Sequence, residues 1–157
     1  MILFECDSDG ELIKKLLPDI TKKEMEHKYG KGNILKWIFQ MNNSIGMVDK
    51  DYIRSRYREM EEVEVNEYFK YSVFKTSNNN YVIELDPKLE GWILRVSRLE
   101  NVDIKEFGFS RDENEFHRKT MIRIDKFKQL LDVLLSSKHL LCLKELFQKY
   151  YFEIQVK

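Results

Sequence analysis

The stretch Ile45-Gly46-Met47-Val48-Asp49-Lys50-Asp51 decides how this chain is read. Small and apolar residues run without interruption into two acids. A short apolar run closed by charge is the pattern of a strand buried on both faces, as in a parallel sheet. The N-terminus repeats it: Ile2-Leu3-Phe4 runs into Glu5, Asp7 and Asp9. Between the two runs the pattern predicts a helix over residues 11–17, capped by Asp9 and stopped by Pro18. Met25, His27 and Tyr29 alternate with charged neighbours, as in a half-exposed strand. Gly30-Lys31-Gly32-Asn33 then turns the chain, and Asn33 caps a helix over residues 34–41. The order is β-α-β-α-β. Connections of this length exclude hairpins, so parallel strands with crossover helices are expected.

Further out the pattern changes. Residues 71–76 and 81–85 are strand-like and flank Ser77-Asn78-Asn79-Asn80, a hairpin loop. Leu89, Trp92, Ile93, Val96 and Leu99 follow the helical period. Phe127, Leu130, Leu131, Leu134 and Leu135 do the same, which predicts a buried stripe. Residues 138–150 form another amphipathic stretch, and residues 151–156 are expected to close as an edge strand. The fold class expected is α/β: a small, mainly parallel sheet with flanking helices and a helical C-terminal part. Its 157 residues form a single domain, with an α/β core over 1–100 and a mainly helical extension over 101–157.

Composition narrows the class. Hydrophobic residues are 43% and charged residues 34%, which excludes a mainly disordered chain. No apolar run approaches the ~18 residues of a spanning helix, so no membrane role is expected. Two cysteines, Cys6 and Cys142, form no disulfide framework and no zinc-finger spacing. A cytoplasmic location with both thiols reduced is the expectation. Basic and acidic residues balance at 27 each, which argues against a general basic footprint for nucleic acid and leaves room for a local patch. The chain contains no alanine.

Chemistry is expected at the acids. In an open parallel sheet, functional groups collect beyond the carboxyl ends of the strands. If the strands ending in Glu5 and Asp49 are neighbours, Glu5, Asp7, Asp9, Asp49 and Asp51 share one rim. A carboxylate pair ~4 Å apart repels by about 4 kcal/mol at an effective dielectric near 20. A cation, a lysine or a proton must offset that. All-oxygen donors suit magnesium or manganese rather than zinc. Acidic turns after strands are also common as plain caps.

Other features rank lower. Gly30-Lys31-Gly32-Asn33 can bind phosphate through peptide N–H groups, but lacks the form of a P-loop. His27, His117 and His139 show no ligand spacing. Glu84, Asp86 and Glu90 read as acids around a helix start near Pro87. Tyr68, Phe69, Tyr71 and Phe74 read as strand-packing aromatics.

The order of elements and acids resembles the toprim domain, found in type IA topoisomerases, bacterial primases and small stand-alone nuclease-like proteins. The toprim pattern is a glutamate after the first strand and Asp-x-Asp after the third, here Glu5, Asp49 and Asp51, with Asp9 opening the first helix. The likeness covers residues 1–55. Cys6 stands where the family has glycine, and a side chain there narrows the backbone's approach to a phosphate. The resemblance implies a magnesium- or manganese-dependent, nuclease-like protein that processes phosphodiesters in nucleic acid. Glu5 would be the general acid/base or a metal ligand, Asp49 and Asp51 would be catalytic metal ligands, and Asp9 would support the metal. The alternative is a non-catalytic toprim-like module that binds nucleic acid or a protein partner, or that forms a homo-oligomer.

Overall fold

A computed structural model describes residues 1–50 and 55–156. Asp51 lies outside the described residues. Strand β1 is Ile2–Phe4, β2 is Met25–His27 and β3 is Ile45–Asp49. Strands β4 (Glu61–Asn66), β5 (Tyr71–Lys75) and β6 (Tyr81–Leu85) follow. Helices α1 (Asp7–Leu16) and α2 (Lys31–Gln40) separate the first three strands. Helices α3 (Leu89–Leu99), α4 (Glu113–Ile122), α5 (Ile124–Leu134) and α6 (Lys138–Gln155) complete the chain.

The strands form one sheet in the order β2-β1-β3-β6-β5-β4. Pairings β1 with β2, β1 with β3, and β3 with β6 are parallel. The β6-β5-β4 edge is antiparallel. The fold is therefore α/β with a mixed sheet and a helical C-terminal part. Ile2 pairs with Ile45 and Leu3 with Gly46, so the two apolar runs are adjacent, as the sequence predicts.

Alternation along each strand divides the core in two. Ile2, Ile45, Met47, Val73 and Ile83 face a large cluster that includes residues from α1, α3, α4, α5 and α6. Leu3, Val48, Phe74 and Val82 face a smaller cluster with Ile34, Leu35 and Ile38 of α2 and Tyr57 of a short 3-10 turn, Ser55–Glu59. Helices thus cover both faces of the parallel part, as burial of β1 and β3 requires. Leu130, Leu131 and Leu134 are buried, as their stripe predicts.

Several boundaries differ from expectation. Helix α1 starts at Asp7, because one Asp9 oxygen reaches back to the peptide N–H groups of Glu5 (3.1 Å) and Cys6 (3.0 Å). Asp9 therefore sits inside the first turn, and Cys6 is the cap. Helix α2 starts at Lys31, with Gly30 as its cap at φ 120, a conformation that favours glycine. Asn33 is the third helical residue, and its side-chain amide turns back to the Lys28 carbonyl. Strand β4 went unpredicted, because its Glu61-Glu62-Val63-Glu64-Val65 pattern has no buried face of its own. Charge along an exposed edge discourages pairing with another chain. Residues 151–155 continue α6 rather than forming a strand, since Phe147, Tyr150 and Ile154 keep the helical period and are buried together.

Gly46 sets how closely α2 lies on the sheet. A Cβ there would meet Ile34 Cγ2 at 2.6 Å and Ile38 Cγ1 at 3.3 Å. Both are branches near the backbone of buried residues and cannot swing away. Gly46→Ala is expected to lower stability by about 1–3 kcal/mol, read as a lower urea midpoint with an unchanged slope.

Candidate functional site

The carboxyl ends of β1 and β3 and the start of α3 meet at one edge of the sheet. Glu5 follows β1, and its Oε1 accepts the Asp49 peptide N–H (3.0 Å) across to β3. Asp49 ends β3, and its Oδ1 accepts the Leu89 N–H (2.8 Å) at the first residue of α3. Asp9 lies behind Glu5 and caps the Glu5–Cys6 turn. The predicted residues Glu5, Asp9 and Asp49 are therefore brought to one place. Asp7 is turned toward His27, 3.5 Å from its Nδ1.

Each of the three carboxyls is held above the ordinary carboxylate range. For Asp49 burial is the main cause, with the charges of Glu5 and Glu90 added, and its pKa rises to about 7. For Asp9 burial leads again, followed by Asp49, and the pKa rises to about 8. Burial also raises Glu5, against the peptide N–H groups of Asp49 and Lys31 and the Lys31 charge. Burial pushes the Cys6 thiol up too, next to Asp9. A thiol so disfavoured as a thiolate is a poor nucleophile.

The sequence does not reveal the partners of four further groups, Glu90, His117, Lys31 and Glu84. Glu90, the second residue of α3, is only 3% exposed and repels both Glu5 and Asp49. It is a helix-start acid, as the sequence predicts, but a buried one, and His117 Nδ1 donates to its Oε1 at 2.6 Å. His117 thus has a partner despite showing no ligand spacing in the chain. Lys31 points under the rim: its Nζ donates to the Asp49 carbonyl (2.8 Å) and to Glu84 Oε2 (3.3 Å), which also accepts from Tyr57 OH (2.7 Å). Glu84 is buried on β6 and is no helix-start acid. The glycine-flanked Lys31 was the one visible signal, and its role is to place positive charge below the carboxylates.

Among the described residues, no three His, Cys, Asp or Glu side chains are gathered as a metal cage. Magnesium is commonly held by one or two carboxylates plus substrate phosphates and waters, so its donors need not form one. Hard oxygen donors with raised pKa values fit a cation that would relieve their repulsion. No helix among the described residues is long and apolar enough to cross a membrane. Comparison with protein-family models, with curated proteins and with solved structures returns no match.

The pKa shifts give a signed prediction. A carboxyl with a raised folded pKa binds more protons in the folded state, so stability falls as pH rises between its unfolded and folded values. For Asp9 and Asp49 that window runs from about 4 to about 8. In metal-free buffer the melting temperature is expected to fall across it. Asp49→Asn keeps an acceptor for Leu89 N–H and removes a repelling charge, so it should melt higher than wild type at pH 8. A wild-type melting temperature that rises across this window would contradict the assignment.

Proposed function

We propose that the protein is a toprim-like, magnesium-dependent enzyme that processes phosphodiester bonds in nucleic acid. One observation carries the reading: Glu5 and Asp49 end adjacent parallel strands and are joined by a hydrogen bond, so two carboxylates face one sheet edge. The toprim resemblance assigns its glutamate and its first aspartate to these same positions. Glu5 and Asp49 would hold the cation with Asp9 supporting, and the resemblance assigns Asp51 to the same role. The cation would neutralise phosphate charge and lower the pKa of a bound water. Burial raises the Glu5 pKa above the ordinary carboxylate range, in the direction that suits a group that exchanges protons. Lys31 fixes the end of β3 and offsets the acids from below. Glu90 and His117 add a second carboxylate–imidazole pair behind Asp49.

A second reading is a non-catalytic module of the same architecture that binds nucleic acid or a protein. It is favoured by the fact that Glu5, Asp9 and Asp49 each already accept a peptide N–H. Carboxylates used in this way can serve only to cap the chain.

Thermal melts separate the two. A ligand that binds only the native state stabilises it by about 2.7 kcal/mol at a hundred times its dissociation constant. Magnesium is expected to raise the melting temperature of wild type, and Asp49→Asn is expected to lose that response. Glu5→Gln should then be inactive in a nuclease assay in which wild type cleaves. A wild type indifferent to magnesium, with Asp49→Asn melting lower, would leave the binding module as the reading.

A further inference from the structure

Beside the acidic rim, three aromatic rings form a stack that ends in solvent. Phe4 and His27 stack with centroids 5.3 Å apart, and His27 and Tyr29 with centroids 3.9 Å apart and planes 23° from parallel. His27 is the middle ring, and its Nε2–H donates to the Glu5 carbonyl oxygen at 2.6 Å. The stack is therefore anchored on the residue whose carboxylate lines the rim. Its last member, Tyr29, is 79% exposed. One ring face lies on His27 and the other is open.

The backbone makes this display at a cost. Tyr29 has φ 53, a left-handed conformation that is a genuine outlier for a bulky residue. Such strain persists only where the surroundings hold it, and it gathers at ligand-contacting positions. Here Asn33 holds the loop, with its side-chain amide donating to the carbonyls of Lys28 (2.9 Å) and Tyr29 (3.4 Å). Asn33 also lines a groove of about 710 Å³ along α2, whose walls carry Lys36, Phe39 and Arg58. Asn33 thus touches the Tyr29 backbone and also lines the groove, where Lys36 and Arg58 stand with one acid, Glu59.

We infer that Tyr29 is a stacking platform for an unpaired base of single-stranded nucleic acid, with the strand's phosphates passing Lys36 and Arg58 in the α2 groove. The inference rests on the reading of the rim as a phosphodiester site and names its substrate class. A base continues the Phe4–His27–Tyr29 stack because every base has a π-face, so the preference is for unpaired strands rather than for a sequence. A duplex hides those faces. The lysine and the arginine supply the sequence-independent attraction to the backbone. Tyr29 follows β2, and Glu5 follows its neighbour β1, so the platform presents a strand beside the Glu5 end of the rim.

The test measures fluorescence anisotropy of a short labelled oligothymidylate with the full chain, in EDTA and low salt, so that binding is read without metal or turnover. Wild type should bind it more tightly than a duplex of equal length. Tyr29→Ala should weaken single-strand binding about 5- to 150-fold, the range measured when one stacked base loses its aromatic partner. Tyr29→Phe should bind as wild type does, since the ring remains. Equal binding by Tyr29→Ala and wild type overturns the platform, as does no binding by wild type or no preference over duplex. The magnesium melt of Tyr29→Ala is read in parallel and should match wild type. A magnesium response without Tyr29-dependent binding removes the platform and leaves the metal reading. Tyr29-dependent binding without a magnesium response does the reverse.

Discussion

The hydrogen bond from the Asp49 peptide N–H to Glu5 Oε1 is the constraint on which the site depends. It ties the end of β1 to the end of β3 and turns an acid inward that would otherwise extend into water. The core holds both strands in place. Ile2, Leu3, Ile45 and Met47 are essentially fully buried, and Gly46 lets α2 close over the face that carries Leu3 and Val48. A strand that short cannot hold its register alone. It does so here because neighbours on both sides and helices on both faces leave it no alternative.

Concentrating acids at that edge is unfavourable unless something offsets it. Lys31 provides part of the offset from α2, and peptide N–H groups from α1, β3 and α3 provide more. Burial, with the remaining repulsion added to it, holds the pKa values of Glu5, Asp9 and Asp49 up. Glu90 makes the balance worse, and His117 partly relieves it from α4. The helices after the sheet therefore take part in the electrostatics of the rim as well as in the core. A site arranged like this is sensitive to protons and to cations for the same reason: both remove like-charge repulsion in a partly desolvated place.

The loop between β2 and α2 serves two ends of this arrangement. Lys31 enters beneath the acids, while Tyr29, two residues earlier, turns outward onto His27. The reversal between them needs the positive φ values of Tyr29 and Gly30. Glycine adopts that conformation freely, but tyrosine does so only because Asn33 and the ring stack hold it. Strain, an aromatic display and a buried lysine are thus consequences of one tight turn.

Periodicity alone determined much of the frame. The apolar runs at Ile2 and Ile45, the hairpin around Asn78 and the helix from Leu89 to Leu99 were legible because their burial is local and regular. The positions of Glu5 and Asp49 at strand ends were legible for the same reason. Tertiary structure decided the rest. Strand β4 exists because β5 offers it an edge, and its Glu64 is bound by Tyr71 of β5 and by Lys149 and Tyr150 from a distant part of the chain. Helix α6 runs to Gln155 because Tyr150 and Ile154 find the core, a preference that the aromatic run from 150 to 152 does not reveal. Glu90 and His117 lie 27 positions apart in sequence and meet only because α3 and α4 pack together. A pattern of hydrophobicity records which face of an element is buried. It carries no record of which polar group will lie opposite, and that pairing sets the charge of the site.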